Sequence, residues 1–257
     1  MSDESESNKN RAVDAVSRRQ VLAGTAAMTT AAVLTPSILK AKETSKMTAK
    51  AFVYTEVAIS VPFDQAPWQA INEKIKEQPG FLNKTWLQGH GNQSVGGFYA
   101  FDSIEHARDF VTGYFPTEPR SFGVAHNTRI FDADVVREAS IDLGSVHYGT
   151  HVSAKPGAFV YTELQFSKPF AEFPWQKRNE ALKKVPGLMN KVWLSGLMTN
   201  TLGGFDAFET LDQALDFAIN EFPGTAASLG CAFYTRVFDA SITEQASRAM
   251  GSPYYAG

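Results

Sequence analysis

An internal repeat constrains this chain of 257 residues more than any other feature. The motif AFVYTE begins at Ala51 and again at Ala158, and the offset of 107 positions (158 − 51) holds without a gap. Under that offset Pro67-Trp68-Gln69 aligns with Pro174-Trp175-Gln176, and about half of the aligned positions are identical. Chance does not give such agreement, so we infer a duplication in which both copies share one fold.

Each copy has the pattern of an α+β unit. Segments rich in β-branched and aromatic residues predict strands, and apolar residues spaced by three and four predict helices. The elements predicted for the first copy are a strand over 51–60, a helix between Pro67 and Pro79, strands over 81–90 and 95–101, a helix over 103–115 and a strand over 122–132. This βαββαβ order is that of a ferredoxin-like unit, an antiparallel sheet with both helices on one face.

The bare face of each sheet needs a cover, since its apolar side chains would otherwise meet water. The other copy is the expected cover, and the two sheets would then form an α/β barrel of the dimeric type within a single chain. We therefore divide the chain into an N-terminal segment over 1–46, a first copy over 47–133, a linker over 134–157 and a second copy with a C-terminal tail over 158–257.

The N-terminal segment predicts export. Arg18 and Arg19 stand before an uncharged stretch, Val21 to Leu39, as in a twin-arginine signal peptide, and cleavage is expected near Ala41. The stretch is too rich in small residues to make a convincing membrane span. We expect a periplasmic or secreted protein with no stable insertion in a membrane.

Charge and histidine spacing limit the classes of partner that the chain can bind. A net charge of −3 with no basic stripe argues against nucleic acid. His147 and His151 have a spacing that suits a metal on a helix, but the residues between them form helices poorly and no cluster completes the ligand set. We therefore predict no metal and no cofactor. The expected partner is a small-molecule substrate, and the chain could also form a homo-oligomer.

Several runs resemble a known family. They are Gln78 to Trp86, Gly96 to Phe101, Phe122-Gly123 and Ile130 to Asp132, and they are similar to the YdhR-type monooxygenases of the dimeric α/β-barrel superfamily. The resemblance covers each copy nearly end to end, and it implies an enzyme that oxygenates a small aromatic or quinone-like molecule without a prosthetic group. Because one fold hosts several chemistries, two functions stay open: a non-oxidative dehydratase, cyclase or isomerase, and a non-catalytic binding protein. Tandem fusion and export depart from the family pattern.

Polar and aromatic residues that both copies keep are the candidates for substrate binding. They are Tyr54, Glu56, Asn83, Lys84, Trp86 and Arg129 in the first copy, and Tyr161, Glu163, Asn190, Lys191, Trp193 and Arg236 in the second. The predicted site takes the tyrosines, asparagines and tryptophans as binding residues, and the arginines as holders of an enolate or phenolate oxygen. Because side chains alternate along a strand, we predict Arg129 beside either Asn83 or Trp86. The structural alternative pairs Arg129 with Glu56 and places Trp86 in the core.

Histidine distinguishes the copies. His90 and His126 align with Leu197 and Phe233, so a histidine at either position is present only in the first copy. An imidazole titrates near neutral pH and can transfer protons. We therefore predict both histidines, together with the two arginines, as catalytic residues, and the first copy as the active one.

Overall fold

The computed structural model describes residues 48–59, 61–151 and 154–256. The predicted signal peptide lies outside the described residues. Within them, the α+β prediction is confirmed, because each copy forms a four-stranded antiparallel sheet with the strand order of a ferredoxin-like unit. In this part of the chain, no helix has the length and apolar character that a membrane span needs.

The two sheets have matching strands and matching order. In the first copy they are β1 (Ala51–Val57), β2 (Phe81–Gln88), β3 (Val95–Phe101) and β4 (His126–Asp132), arranged β2-β3-β1-β4. In the second they are β5 (Ala158–Gln165), β6 (Leu188–Ser195), β7 (Thr201–Phe208) and β8 (Phe233–Asp239), arranged β6-β7-β5-β8. The first strand of each copy is therefore central, and the second and fourth strands are edges.

Four of the helices in the described residues lie where the sequence predicts a helix, and the other four were not predicted. The helices are α1 (Trp68–Lys76), α2 (Ile104–Asp109), α3 (Thr117–Phe122), α4 (Arg137–Asp142), α5 (Trp175–Leu182), α6 (Leu211–Asp216), α7 (Phe222–Ser228) and α8 (Ala240–Ala249). Ser103 caps α2 by accepting a hydrogen bond from the His106 N–H. Both α2 and α6 continue into a π-helical turn, Phe110–Tyr114 and Phe217–Glu221.

The fourth strand of the first copy begins later than predicted, and two segments have more structure than predicted. The fourth strand begins at His126 and not at residue 122, because α3 occupies 117–122 and Gly123 ends it with a left-handed φ of 66°. The segment 134–157 does connect the copies, but it contains α4. The predicted C-terminal tail likewise contains α8.

The two sheets pack face to face through an aromatic core. Equivalent residues of the two copies contact each other there: Tyr54 stacks on Tyr161 with ring centroids 4.0 Å apart, and Phe98 stacks on Phe205 at 4.4 Å. Such contacts between equivalent residues mean that an approximate two-fold axis relates the copies. The predicted covering of each sheet by the other copy is therefore confirmed, although the sheets remain two separate four-stranded sheets.

Each copy is also covered by a helix that follows the last strand of the other copy. The helix α4 follows β4 but packs on β6 and α5 of the second copy, whereas α8 follows β8 but packs on β2 and α1 of the first. Ala139 and Leu143 join the core of the second copy, and Ala246 and Met250 join that of the first. The copies thus exchange helices.

A serine on each exchanged helix binds the backbone of the sheet beneath it. Ser247 Oγ accepts a hydrogen bond from the Trp86 N–H at 2.9 Å, and Thr243 Oγ1 donates to the Trp86 carbonyl at 2.8 Å. The Trp86 indole N–H donates to Asn72 Oδ1 at 2.8 Å. Ser140 makes the equivalent backbone contact in the second copy at 3.0 Å. Because β2 and β6 are edge strands, these bonds satisfy backbone groups that would otherwise be buried without partners.

Replacing Ser247→Ala should destabilise the fold by about 1–3 kcal/mol, because the Trp86 N–H would stay buried without an acceptor. Urea unfolding at neutral pH measures the change. Ser228→Ala is the control, since that exposed hydroxyl donates only to the Thr225 carbonyl. Equal stability of the two variants would contradict the role given to the exchanged helix.

Candidate functional site

The structure distributes the predicted site residues over both faces of the sheets. Facing the helices are Trp86 and Trp193, and facing the other sheet are Tyr54, Tyr161, Arg129 and Arg236. The predicted pairing of Arg129 with Trp86 is wrong, because the two side chains lie on opposite faces. The pairing of Arg129 with Asn83 is also wrong, because β4 and β2 are opposite edges of the sheet. Asn83 and Asn190 each lie at an irregularity of their strand.

Each arginine forms an ion pair across the interface between the sheets. Arg129 Nε lies 3.0 Å from Glu163 Oε2, and Arg236 pairs with Glu56. The alternative that joined Arg129 to Glu56 therefore names the wrong partner, because each arginine reaches the glutamate of the opposite copy. Both guanidinium groups help to hold the copies together, and a catalytic role for them stays a prediction.

Glu56 is the acceptor at the centre of one such cluster. It accepts hydrogen bonds from Tyr54 at 2.8 Å and Tyr234 at 2.9 Å, and also from Ser94 and Arg236. Burial alone would raise the pKa of Glu56, but the hydrogen bonds from Ser94 and Tyr54 and the charge of Arg236 outweigh it and lower that pKa. The carboxylate is therefore stable in its ionised form.

Glu56→Gln should reduce the loss of stability in acid. Because the pKa of Glu56 is lower in the folded state than the ordinary 4.5, its contribution is present above that value and is lost as the pH falls through the folded pKa. Urea unfolding between about pH 7 and about pH 3 should show a smaller loss for the variant than for the wild type. Glu138→Gln on the exposed surface controls for the removal of one carboxylate. If Glu56→Gln loses as much free energy of unfolding in acid as the wild type does, the role given to the cluster is contradicted.

A pocket lies between the sheet and the helices of the first copy. Its volume is about 220 Å³. Most of its wall is apolar, with side chains from β1, β2, β3 and α1 and from the segment between α2 and β4; they include Val57, Ile71, Trp86, Val95, Phe115 and Phe122. The polar groups in its wall are few, as in sites for small organic ligands.

Lys84 enters this pocket from β2. Its side chain is almost fully buried, and Nζ lies 2.8 Å from the Trp86 ring centroid and 4.8 Å from that of Tyr99. Gly97 leaves room for it, since a Cβ there would lie 2.6 Å from Lys84 Cε. Among the described residues, Nζ has no hydrogen-bond acceptor and no ion-pair partner. Burial lowers the pKa of Lys84 well below its ordinary value, and the charge of Glu118 opposes this only in part.

The wall contains further polar groups, among them Tyr99, Thr55 and Glu118. Tyr99 lies in the pocket, and Thr55 Oγ1 donates to its hydroxyl at 3.4 Å. Burial and the charge of Glu118 raise the pKa of Tyr99 well above its ordinary value, so the phenol stays protonated and can donate. Glu118 accepts a hydrogen bond from the Tyr114 hydroxyl at 2.5 Å. The pocket therefore combines an amine whose pKa is lowered by burial, a phenolic donor and a carboxylate.

The equivalent space in the second copy is nearly filled. Its volume is about 20 Å³. Phe173 stands where the first copy has Ala66, and Asp206 stands where it has Tyr99. The lysine of this copy, Lys191, lies 2.6 Å from Asp206 Oδ1, and both side chains are buried. Of these two equivalent pockets, the one in the first copy has room for a ligand, and its lysine has no ion-pair partner among the described residues.

The two candidate histidines lie in different cavities. His126 begins β4 beside the pocket, and its ring is 5.5 Å from that of the pocket residue Phe115. His90 lies in the turn after β2 and lines a separate groove. No group of three or more His, Cys, Asp or Glu residues in the described part of the chain is arranged to hold a metal ion.

Lys84 and Tyr99 were not among the predicted binding or catalytic residues. Lys84 was among the residues kept by both copies, but nothing then separated it from Lys191. The available signal was the alignment of Tyr99 with Asp206, which leaves one of the two lysines without an acidic partner. Their contact across neighbouring strands follows from the register, in which Lys84 pairs with Tyr99 and Lys191 with Asp206.

Comparisons with known proteins add a family. Residues 56–140, which include Lys84, match the family described as "Putative mono-oxygenase ydhR". Among solved structures, the chain is similar to a "Putative monooxygenase" from Fusobacterium nucleatum, with a TM-score of 0.45, 9% identity, and 75% of this chain and 92% of that chain covered. It is similar to an anthrone oxidase-like protein with a TM-score of 0.44 and 16% identity, and 76% of this chain and 92% of that chain are covered. It is also similar to a ferredoxin fold protein from Listeria monocytogenes that is related to antibiotic biosynthesis monooxygenases. The TM-score is 0.41 and the identity 9%, with 76% of this chain and 98% of that chain covered. No curated protein matches the chain.

Proposed function

We propose, from the match of residues 56–140 to the YdhR family model, that the chain is a monooxygenase-type enzyme whose working site is the pocket of the first copy. The observation that carries the proposal is Lys84, a buried amine without an ion-pair partner among the described residues. The pocket of about 220 Å³ is smaller than the roughly 300–1,000 Å³ of sites for larger ligands. It suits a small phenol or hydroquinone, and the enzyme would use no prosthetic group.

The chemistry begins with proton transfer. The neutral Lys84 amine takes the phenolic proton, and the resulting phenolate is electron-rich enough to give one electron to dioxygen. The phenoxyl radical and superoxide then combine, and a C–O bond forms at a ring carbon. The O–O bond breaks, the ring carbon loses its hydrogen as a proton, and water leaves with that proton and the one held by Lys84. One phenol and one dioxygen thus give one quinone and one water.

The other wall residues support these steps. The protonated Tyr99 hydroxyl is a donor for the developing phenolate oxygen, and the apolar side chains exclude water, which strengthens that interaction. Glu118, whose charge acts on Lys84, is placed to stabilise the lysine after it accepts the proton. His126 lies next to Phe115 at the exposed edge of the pocket.

We assign the second copy a structural role and the chain an exported location. The second copy covers the sheet of the first and supplies α8, while its own pocket is filled by Phe173 and neutralised by the pairing of Lys191 with Asp206. Export rests on Arg18 and Arg19 before the uncharged stretch of the N-terminal segment.

Lys84→Met should lower the rate of oxygen uptake with phenols and hydroquinones by at least about 100-fold, the usual scale of a lost general base. The uptake is measured with an oxygen electrode on the purified protein, in a buffer that contains a chelator to remove metal ions. In the wild type the rate should rise as the pH passes upward through the lowered pKa of Lys84, because the neutral amine is the active form. That rise should be absent in the variant.

The matched control is the double variant Lys191→Met/Asp206→Leu, which removes the buried pair of the second copy together and should keep the wild-type rate. Thermal unfolding should show that Lys84→Met is folded and at least as stable as the wild type, since it removes a buried amine that has no ionic partner among the described residues. Uptake that survives in Lys84→Met, or that fails in the control while the protein stays folded, would contradict the proposed site.

A further inference from the structure

A second cavity lies where α8 of the second copy crosses the first copy, and we name it the junction groove. Its volume is about 550 Å³, and it is lined by the turn before α1, the start of α1, the end of β2 and the start of α8. It shares no lining residue with the Lys84 pocket. The contact between the Phe63 and Trp86 rings, with centroids 5.5 Å apart, lies between the two cavities.

The wall of the junction groove contains an unsatisfied amide. Gln88 is 4% exposed, and neither its Oε1 nor its Nε2 has a hydrogen-bond partner among the described residues. Buried polar side chains in folded proteins nearly always have partners, so one without a partner needs an explanation. A molecule bound in the groove would supply the missing hydrogen bonds. Gln88 shares its strand face with Trp86 and Lys84, two and four residues before it, so its position is fixed by the sheet.

The charges around the groove limit what it can bind. Asp64 and Asp239 line it, and no lysine or arginine does, so an anionic ligand would meet repulsion. Asp239 already caps α8 by accepting from the Ser241 N–H at 2.9 Å. Amide groups such as that of Gln88 both donate and accept, which matches hydroxyl groups. The half-buried Trp68 offers an apolar ring face beside them.

The corresponding surface of the second copy lacks this polar set. The aligned residues of the second copy are Ala171, Ser195 and Leu197 in place of Asp64, Gln88 and His90. Both copies keep the tryptophan, as Trp68 and Trp175. The polar groups are therefore not needed for the fold that the copies share.

We propose that the junction groove binds an uncharged polyhydroxylated molecule of the sugar class. The apolar face of its ring stacks on Trp68, and its hydroxyl groups bond to the Gln88 amide, the Asp64 carboxylate and the His90 imidazole. This site does not depend on the oxygenase proposal, because it shares neither residues nor chemistry with the Lys84 pocket.

The test uses the indole N–H signals of the four tryptophans in the ¹⁵N-labelled full chain. Glucose, cellobiose and inositol serve as probes, and Trp68→Phe assigns the signal of interest. At least one probe should shift the Trp68 signal in a saturable way and leave that of Trp175, its matched control, unmoved. The triple variant Asp64→Ala/Gln88→Ser/His90→Leu, which copies the second copy, should raise the Kd at least about tenfold.

A double variant, Asp64→Ala/His90→Leu, changes only exposed residues. It replaces the triple variant if that one does not fold, and it should also raise the Kd. The proposal is overturned if no probe shifts Trp68, if Trp175 shifts equally, or if the variants bind as the wild type does. Saturable binding of choline in preference to every polyol would overturn the assigned ligand class.

Discussion

The packing of the two sheets against each other is the contact on which the rest of the structure depends. A sheet with helices on one face leaves apolar side chains on the other, and here each copy's bare face is buried by its equivalent. Stacked pairs such as Tyr54 with Tyr161 add about 0.5–1.5 kcal/mol beyond the area they bury. The same approach brings Arg129 to Glu163 and Arg236 to Glu56, so the ion pairs between copies are a consequence of the packing.

This interdependence explains how two copies of one unit can keep one fold and yet differ in their pockets. Each copy needs the other's sheet and the other's last helix for its core, so neither copy can be lost. The pocket between the sheet and the helices of each copy is not part of this contact between the copies, so its residues can change without loss of the shared core. In the second copy it is filled by Phe173 and an ion pair, while in the first it stays open around Lys84. A buried amine without an ionic partner costs stability, which is common at functional sites.

Much of the fold followed from local patterns. The elements and their order were predicted from the offset between the AFVYTE motifs, from the β-branched and aromatic residues of the strands, and from the spacing of apolar residues in the helices. The exchanged helices were missed, although a signal was present: Ala139-Ser140 aligns with Ala246-Ser247 under the same offset, so the repeat extends through both helices. Which copy each helix covers could not be predicted, because it depends on how the sheets lie against each other.

The site was harder to predict than the fold for the same reason. Alternation correctly separated Asn83 from Lys84, but the partner of Arg129 is on the other copy, beyond the reach of any pattern within one copy. The environment of Lys84 depends on Ala66 and Tyr99, which come from different elements and differ between the copies. Comparison of the copies residue by residue on the helix face would have identified that difference.

The most direct test of this account is the pKa of Lys84 itself, followed by the ¹³Cε chemical shift of the labelled lysines and assigned with Lys84→Met. The account predicts that Lys84 titrates well below the ordinary lysine value of about 10.4, because burial disfavours its charge. A Lys84 signal that titrates at or above the ordinary value would contradict a neutral amine in the pocket, and with it the central claim about how the first copy works.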